Sequence, residues 1–305
     1  MASEQTWPAL DADRCHQTLT TLHLATQIVG KVQLALRPAM AHWAQAPLRL
    51  TARGLATHLL AAGDTTLTLT FDLLAHELRF ETSDGDQRVV GLDPCTLADF
   101  YDRVMGVLDD LGVAVRIDPV TVVTLEPVRC DTDTAARDYD RECATAYFQA
   151  LTRMAPVFEQ YRSGFWGKQT PVSLWWGTFD LAVTRYSSRP ARPPQDAGVI
   201  ERVAMDAEQA IVGFWPGDEQ TPNPSFFATT YPKPAGLEMA EVAPADAHWD
   251  DELGQFVLSY DAVRAQADPA AALLEFCEST YAAGARLGRW DRSLLERSAP
   301  ARVWP

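Results

Sequence analysis

The chain has 305 residues, of which 47% are hydrophobic and 10% aromatic, enough apolar material for a sizeable core and far from a disordered composition. A net charge of −15 sets up a field that repels phosphate backbones and argues against a nucleic-acid partner. No apolar run approaches the ~18–20 residues of a membrane span, and the opening segment, with Glu4, Asp11 and Asp13, lacks the apolar stretch of a secretory signal.

Over residues 14–36, Leu19, Leu22, Val29, Val32 and Leu36 recur at helical spacing and stop before Pro38. His16, His23, Gln27 and Lys31 form a polar stripe on the neighbouring face. Strand-like runs follow at 48–52, 65–71, 78–82 and 88–92, with Ser83-Asp84-Gly85-Asp86 turning the last two into a hairpin. A helix is predicted over 94–111, capped by Asp93 and stopped by Gly112. Further strands are predicted at 114–117 and 120–125, and the longest helical pattern covers 134–161. Gly167-Lys168 and Trp175-Trp176 then precede a strand at 181–185. The Pro- and Arg-rich stretch 187–198 reads as a loop. Strands at 210–215, 226–231 and 256–260 and a helix over 270–287, stopped by Gly288, complete the order.

This order of helix, Gly-Lys, Pro-to-Trp, strands and closing helix occurs twice. Pro38 aligns with Pro171, Trp43 with Trp176, Leu48 with Leu181 and Thr51 with Thr184, and the segment from Ala98 resembles that from Leu274. The expected fold is α+β, an antiparallel sheet with helices packed mainly on one face. It would form a single compact unit over 1–305 in two pseudo-repeated halves, 14–130 and 131–296. A pseudo-twofold arrangement would leave a cleft between the halves and bring Lys31 and Lys168 to it.

Five cysteines, Cys15, Cys95, Cys130, Cys143 and Cys277, are odd in number and never spaced Cys-x-x-Cys. The pattern predicts buried thiols in a cytoplasmic protein rather than a disulfide frame or a zinc site. Of the 26 basic residues only Lys31, Lys168 and Lys233 are lysines, and the first two each follow a glycine. A lysine ammonium is a compact point charge, which singles out these two as anion contacts.

No Gly-x-Gly-x-x-Gly follows a strand, neither Gly-Lys pair sits in a phosphate-cradling loop, and no Gly-x-Ser-x-Gly is present. His76-Glu77 starts like a metalloprotease helix, but Phe80 holds the second histidine's place. Five of the six histidines lie in the first 76 residues. Neither a metal nor a cofactor is expected.

The segments LHLATQIVGKVQLAL, HWAQAPLRLTARGL, GKQTPVSLWWGTFDLAVTRYSSR and GFWPG resemble the bacterial family called domain of unknown function 5996, over about residues 7–296. That family has no established activity, so the resemblance implies only one unit spanning both halves. The family's pattern has a histidine where this chain has Ser173. It has Ser-His-Glu where this chain reads Asp206-Ala207-Glu208, and a tryptophan in place of Ala44.

His23 and His42 are the candidate acid–base groups near neutral pH. Gln27, Lys31, Trp43, Lys168, Trp176, Asp180, Arg185, Glu208 and Trp215 are the candidate ligand contacts. Asp180 and Arg185 would form either a fold-fixing ion pair or a substrate clamp. Together these features predict a protein, binder or enzyme, that takes a small anionic or amphipathic molecule in a cleft between its halves. The alternative is a non-catalytic interaction module with an aromatic docking surface.

Overall fold

A computed structural model describes residues 7–296; the outermost residues of the expected 1–305 unit lie outside the described residues. Helix α1 (Ala12–Leu36) is capped by Asp11, whose carboxylate accepts from the Arg14 N–H, and buries Leu22, Ile28, Val29 and Val32. A single 3-10 turn, Ala41–Trp43, leads to β1 (Arg49–Leu50), β2 (Gly54–Ala56), β3 (Leu60–Ala62), β4 (Thr65–Asp72), β5 (Glu77–Thr82) and β6 (Gln87–Gly91). Strand β7 (Cys95–Thr96) runs into α2 (Leu97–Asp110), whose cap is Thr96 rather than Asp93. Strand β8 (Ala136–Arg137) pairs with β7, and α3 (Arg141–Ser163), capped by Asp140, starts seven residues later than the helical pattern suggested.

The second half runs β9 (Ser173–Trp175), β10 (Asp180–Pro190), α4 (Val199–Ala204), β11 (Ala207–Trp215) and β12 (Ser225–Tyr231). It ends with β13 (His248–Asp250), β14 (Gln255–Ser259), α5 (Tyr260–Arg264), α6 (Pro269–Leu287) and α7 (Arg292–Leu295).

The strands predicted at 114–117 and 120–125 do not form. An isolated antiparallel bridge between Val120 and Arg129 takes their place, with the Thr121 N–H donating to the Val128 carbonyl, while Gln27 bonds both the N–H and the carbonyl of Val122 and the Thr121 hydroxyl takes the Val128 N–H. The stretch becomes a strap pinned to α1. The predicted loop at 187–198 is shorter than expected, because β10 continues through Pro190 and α4 begins at Val199.

Apart from the β7–β8 pair, the strands build two antiparallel sheets, one in the order β1-β2-β4-β5-β6 with β3 beside β4, the other β13-β14-β12-β11-β10-β9. They meet edge to edge where Leu48, just before β1, exchanges both backbone hydrogen bonds with Leu174 of β9, at 2.8 and 2.9 Å. Helices α2, α1, α3 and α6 lie side by side on one face of this joined surface. On β4 the residues Leu67, Leu69 and Phe71 are fully buried beneath the helices, whereas Thr66, Thr68 and Thr70 alternate onto a part-exposed face. Outward from the shared edge the first sheet reads β1-β2-β4-β5-β6 and the second β9-β10-β11-β12-β14-β13, so the two strand orders differ, and the sequence alignment that placed Leu48 on Leu181 is not the register at the junction, where Leu48 meets Leu174.

The cysteine expectation is corrected. Cys15 in the first turn of α1 and Cys143 in the first turn of α3 form a disulfide, because the two helices start side by side with these Cα atoms 5.3 Å apart. Cys95, Cys130 and Cys277 are free.

Gly30 shows how tightly α1 meets the junction. A Cβ there would stand 2.3 Å from the Trp176 ring, and that ring is fixed by a 2.8 Å hydrogen bond from its Nε1 to the Ala46 carbonyl. Gly30→Ala would gain about 1 kcal/mol of helix propensity against about 1–3 kcal/mol of overpacking. The variant is expected to be less stable than the parent in urea unfolding; equal or higher stability would show the ring free to move aside.

Candidate functional site

Strand β10 divides its side chains between two environments. Leu181, Val183 and Arg185 point under the helices, while Asp180, Ala182, Thr184 and Tyr186 point to the opposite face. There Ala182 lies opposite Gly213, Thr184 opposite Ile211 and Tyr186 opposite Gln209, and Phe227 pairs with Gly213 from the next strand. These residues floor a cavity of about 520 Å³. Its walls come from both halves: Lys31 and Leu34 of α1, His42 and Trp43, the strap residues Val122 and Val123, and Trp175 and Trp176. Val199 and Ile200 of α4 form a lid, held by a 2.9 Å hydrogen bond from Trp43 Nε1 to the Ile200 carbonyl.

Two further cavities adjoin it. A polar one of about 620 Å³ shares His42, Trp175 and Tyr186 with the first and adds His58, Lys168, Ser173, Arg189 and Asp206. Another, of about 590 Å³, shares Val123, Thr178, Asp180 and Phe227 and has Glu126, Asp218 and Glu219 around it. Non-glycine residues with positive φ concentrate here. Of seven among the described residues, His42, Trp43 and Val123 line the apolar cavity, Phe179 the acidic one and Ser188 the polar one. Such backbone costs of order 1–3 kcal/mol per residue and gathers at functional sites.

The predicted residues separate into three groups. Lys31, His42, Trp43, Trp176 and Asp180 line the apolar cavity. Lys168 lines the polar cavity, so the two lysines do not share one cleft but flank the wall formed by His42, Trp175 and Tyr186. His42 stacks on Tyr186 at 4.5 Å, and its Nδ1 lies 3.1 Å from an Asp206 carboxylate oxygen. Trp215 lines the acidic cavity.

The remaining residues hold the frame. His23 lies at the inner wall of the acidic cavity, where its ring stacks on Phe179 at 5.1 Å and its Nε2 is 3.0 Å from the Gly177 carbonyl. Burial lowers its pKa and keeps the imidazole neutral. Gln27 is fully buried and spends its amide on the strap and on the Trp176 and Gly177 carbonyls. Glu208 binds Ser187 at 2.8 Å and Arg189 at 2.6 Å, outside the cavities. Arg185 forms neither a pair nor a clamp with Asp180, because five residues of separation along a strand put them on opposite faces. Its guanidinium is 1% exposed and lies 3.3 Å over the Tyr161 ring and 4.3 Å from that of Tyr281, with Glu278 at 3.3 Å.

Sequence reasoning missed Tyr186, Ile211, Phe227, the strap and the lid. The alternation along β10 carried a usable signal for Tyr186, since Asp180, Ala182, Thr184 and Tyr186 share one parity; the strap had none, having been read as strand. Ala44, Ser173 and Ala207, the three positions that the resemblance singled out, all line the polar cavity.

Besides His23, three groups in these walls have displaced acidities, and burial pushes the Tyr186 hydroxyl up to about 12. His58 is pushed down to about 4 by burial and by the nearby Arg37 and Arg49. Asp180 is pushed up to about 7 by burial, against a small opposing effect of its own backbone N–H. A carboxyl that titrates at 3.8 unfolded and about 7 folded gives stability that is present at low pH and lost as pH rises through 7. At about 1.4 kcal/mol per pH unit, Asp180→Asn is expected to gain about 2–3 kcal/mol relative to the parent between pH 5 and pH 8. Urea unfolding at both values checks this, and parallel pH dependence in the two proteins would contradict it.

Among the described residues no cluster of three or more His, Cys, Asp or Glu is placed to hold a metal ion, and no helix is long and apolar enough to cross a membrane. Searches of curated proteins and of solved structures found no match. A family model, described as a family of unknown function, matches residues 7–297. With nearly the whole chain covered, the protein belongs to the family of unknown function DUF5996.

Proposed function

We propose that this protein binds a small amphipathic molecule with an anionic group, between its two halves. The observation that carries the reading is the apolar cavity on the uncovered face of the second sheet, with Lys31 in its wall. An aromatic and aliphatic lining takes an apolar body, and a few polar groups fix its orientation. Among the described residues no carboxylate lies within 4.0 Å of the Lys31 ammonium, so its charge is free for a ligand. Lys168 adds positive charge on the polar side of the shared wall.

Two observations favour binding over the alternatives. Trp43, Trp175, Trp176 and Trp215 line concave cavities rather than a flat docking face. His42 has an acidic neighbour in Asp206, but among the described residues no hydroxyl or thiol is hydrogen-bonded to its ring to serve as a nucleophile. The cytoplasmic setting proposed from the scattered thiols has the Cys15–Cys143 disulfide weighing against it.

Octanoate is a suitable first probe, read by the fluorescence of the cavity tryptophans. Saturable binding is expected. Lys31→Met should weaken it about tenfold or more, as loss of a charge-assisted contact worth ~1.5–3 kcal/mol implies. Ile211→Trp, which fills the cavity from its floor, should abolish it. No saturable response in the parent, or equal affinity in Lys31→Met, would defeat the proposal.

A further inference from the structure

We propose that Asp180 is the contact for an amine on the ligand, so that the molecule bound carries an ammonium at one end and an anion at the other, joined by an apolar spacer. The inference rests on the amphiphile reading above and adds the second charge.

Asp180 is 8% exposed, at the start of β10 and on its cavity side. Its carboxyl accepts one side-chain hydrogen bond, from the Thr178 hydroxyl of its own turn. Among the described residues no lysine, arginine or histidine nitrogen comes within 4.0 Å of it. The same fold shows what a satisfied buried carboxylate looks like. Asp72, fully buried, is met by Arg53, by Arg79 at 3.3 Å, and by the N–H groups of Leu74 and Ala75 at 3.1 and 2.9 Å. Burial alone would raise its pKa, yet these partners hold it below the usual carboxylate range. Asp180 has the burial without the partners, which leaves its cation to come from outside.

The surroundings suit an ammonium. Trp175, Tyr186 and Phe227 line the same cavity, and aromatic rings attract a cation. The adjoining acidic cavity reaches Asp180 from the other side, with Glu126, Asp218 and Glu219 about it to attract a cation. Lys31 and Asp180 line one cavity as opposite charges, more than 4.0 Å apart and not paired with each other. Each is complementary to one end of a single molecule that spans them.

Three probes on the full chain separate the possibilities by calorimetry: octanoate, ω-aminooctanoate and octylamine. Without a partner for the amine, burying an ammonium in an apolar cavity is prohibitive, and ω-aminooctanoate should bind far more weakly than octanoate. The expected result is the reverse: ω-aminooctanoate binds the unmodified protein at least as tightly as octanoate. Asp180→Asn should then weaken ω-aminooctanoate at least about thirtyfold more than it weakens octanoate, about 2 kcal/mol of differential affinity. Octanoate bound well and ω-aminooctanoate poorly in the unmodified protein would overturn the amine contact while leaving the amphiphile reading intact, and needs no variant to fold. If octanoate fails to bind, the amphiphile reading falls. Octylamine then decides the contact: binding lost in Asp180→Asn upholds it, and no binding ends it.

Discussion

The two hydrogen bonds between Leu48 and Leu174 set the geometry on which the rest of the molecule depends. They are the point at which one half's sheet becomes continuous with the other's, and both residues are fully buried. Once the edges are joined, α1 and α3 must lie next to each other over the seam, and the loops that precede β1 and follow β9 must cross on the far side. Those loops carry His42, Trp43 and Trp176, and Trp175 ends β9 beside them. The cavity walls are therefore a by-product of joining two edges, and neither half alone encloses the space.

The second constraint is the parity of β10. Arg185, caged by Tyr161 and Tyr281 beneath α3 and α6, anchors the helix-facing side. Burying a guanidinium without such partners would be very costly, so a shift of β10 by one residue is strongly disfavoured: it would expose Leu181 and Val183 and drive Tyr186 into the helices. That fixed parity holds Asp180, Ala182, Thr184 and Tyr186 on the cavity side. A buried charge that touches no ligand thus determines which residues can.

Much of this was legible in the chain. Helical spacing from Leu19 to Leu36, the Ser83–Asp86 turn and the alternating runs around Thr65 and Phe226 report local physics and found their elements. The strap at 120–125 was misread as strand because Val120, Val122 and Val123 have strand-like side chains, whereas the outcome was decided by Gln27, about a hundred positions away. Lys31, His42, Trp43 and Asp180 were found as cavity residues because charged or aromatic groups beside apolar runs are conspicuous. Gln27, His23 and Arg185 looked equally functional, and only packing distinguishes a polar group spent on the backbone from one left open. The disulfide was invisible for the same reason, since nothing in the spacing of Cys15 and Cys143 shows that α1 and α3 start as neighbours.

That disulfide has a consequence for handling the chain. Cys15 and Cys143 are 128 positions apart, one in each half, and both are buried. The connecting stretch includes the strap, where Val123 and Leu125 are more than half exposed. A protease that cuts there produces two polypeptides that remain one particle, with an unchanged mass on a denaturing gel until a thiol is added. A non-reducing gel is therefore blind to the state of this backbone, and a sample can be nicked beside its cavity while passing as whole.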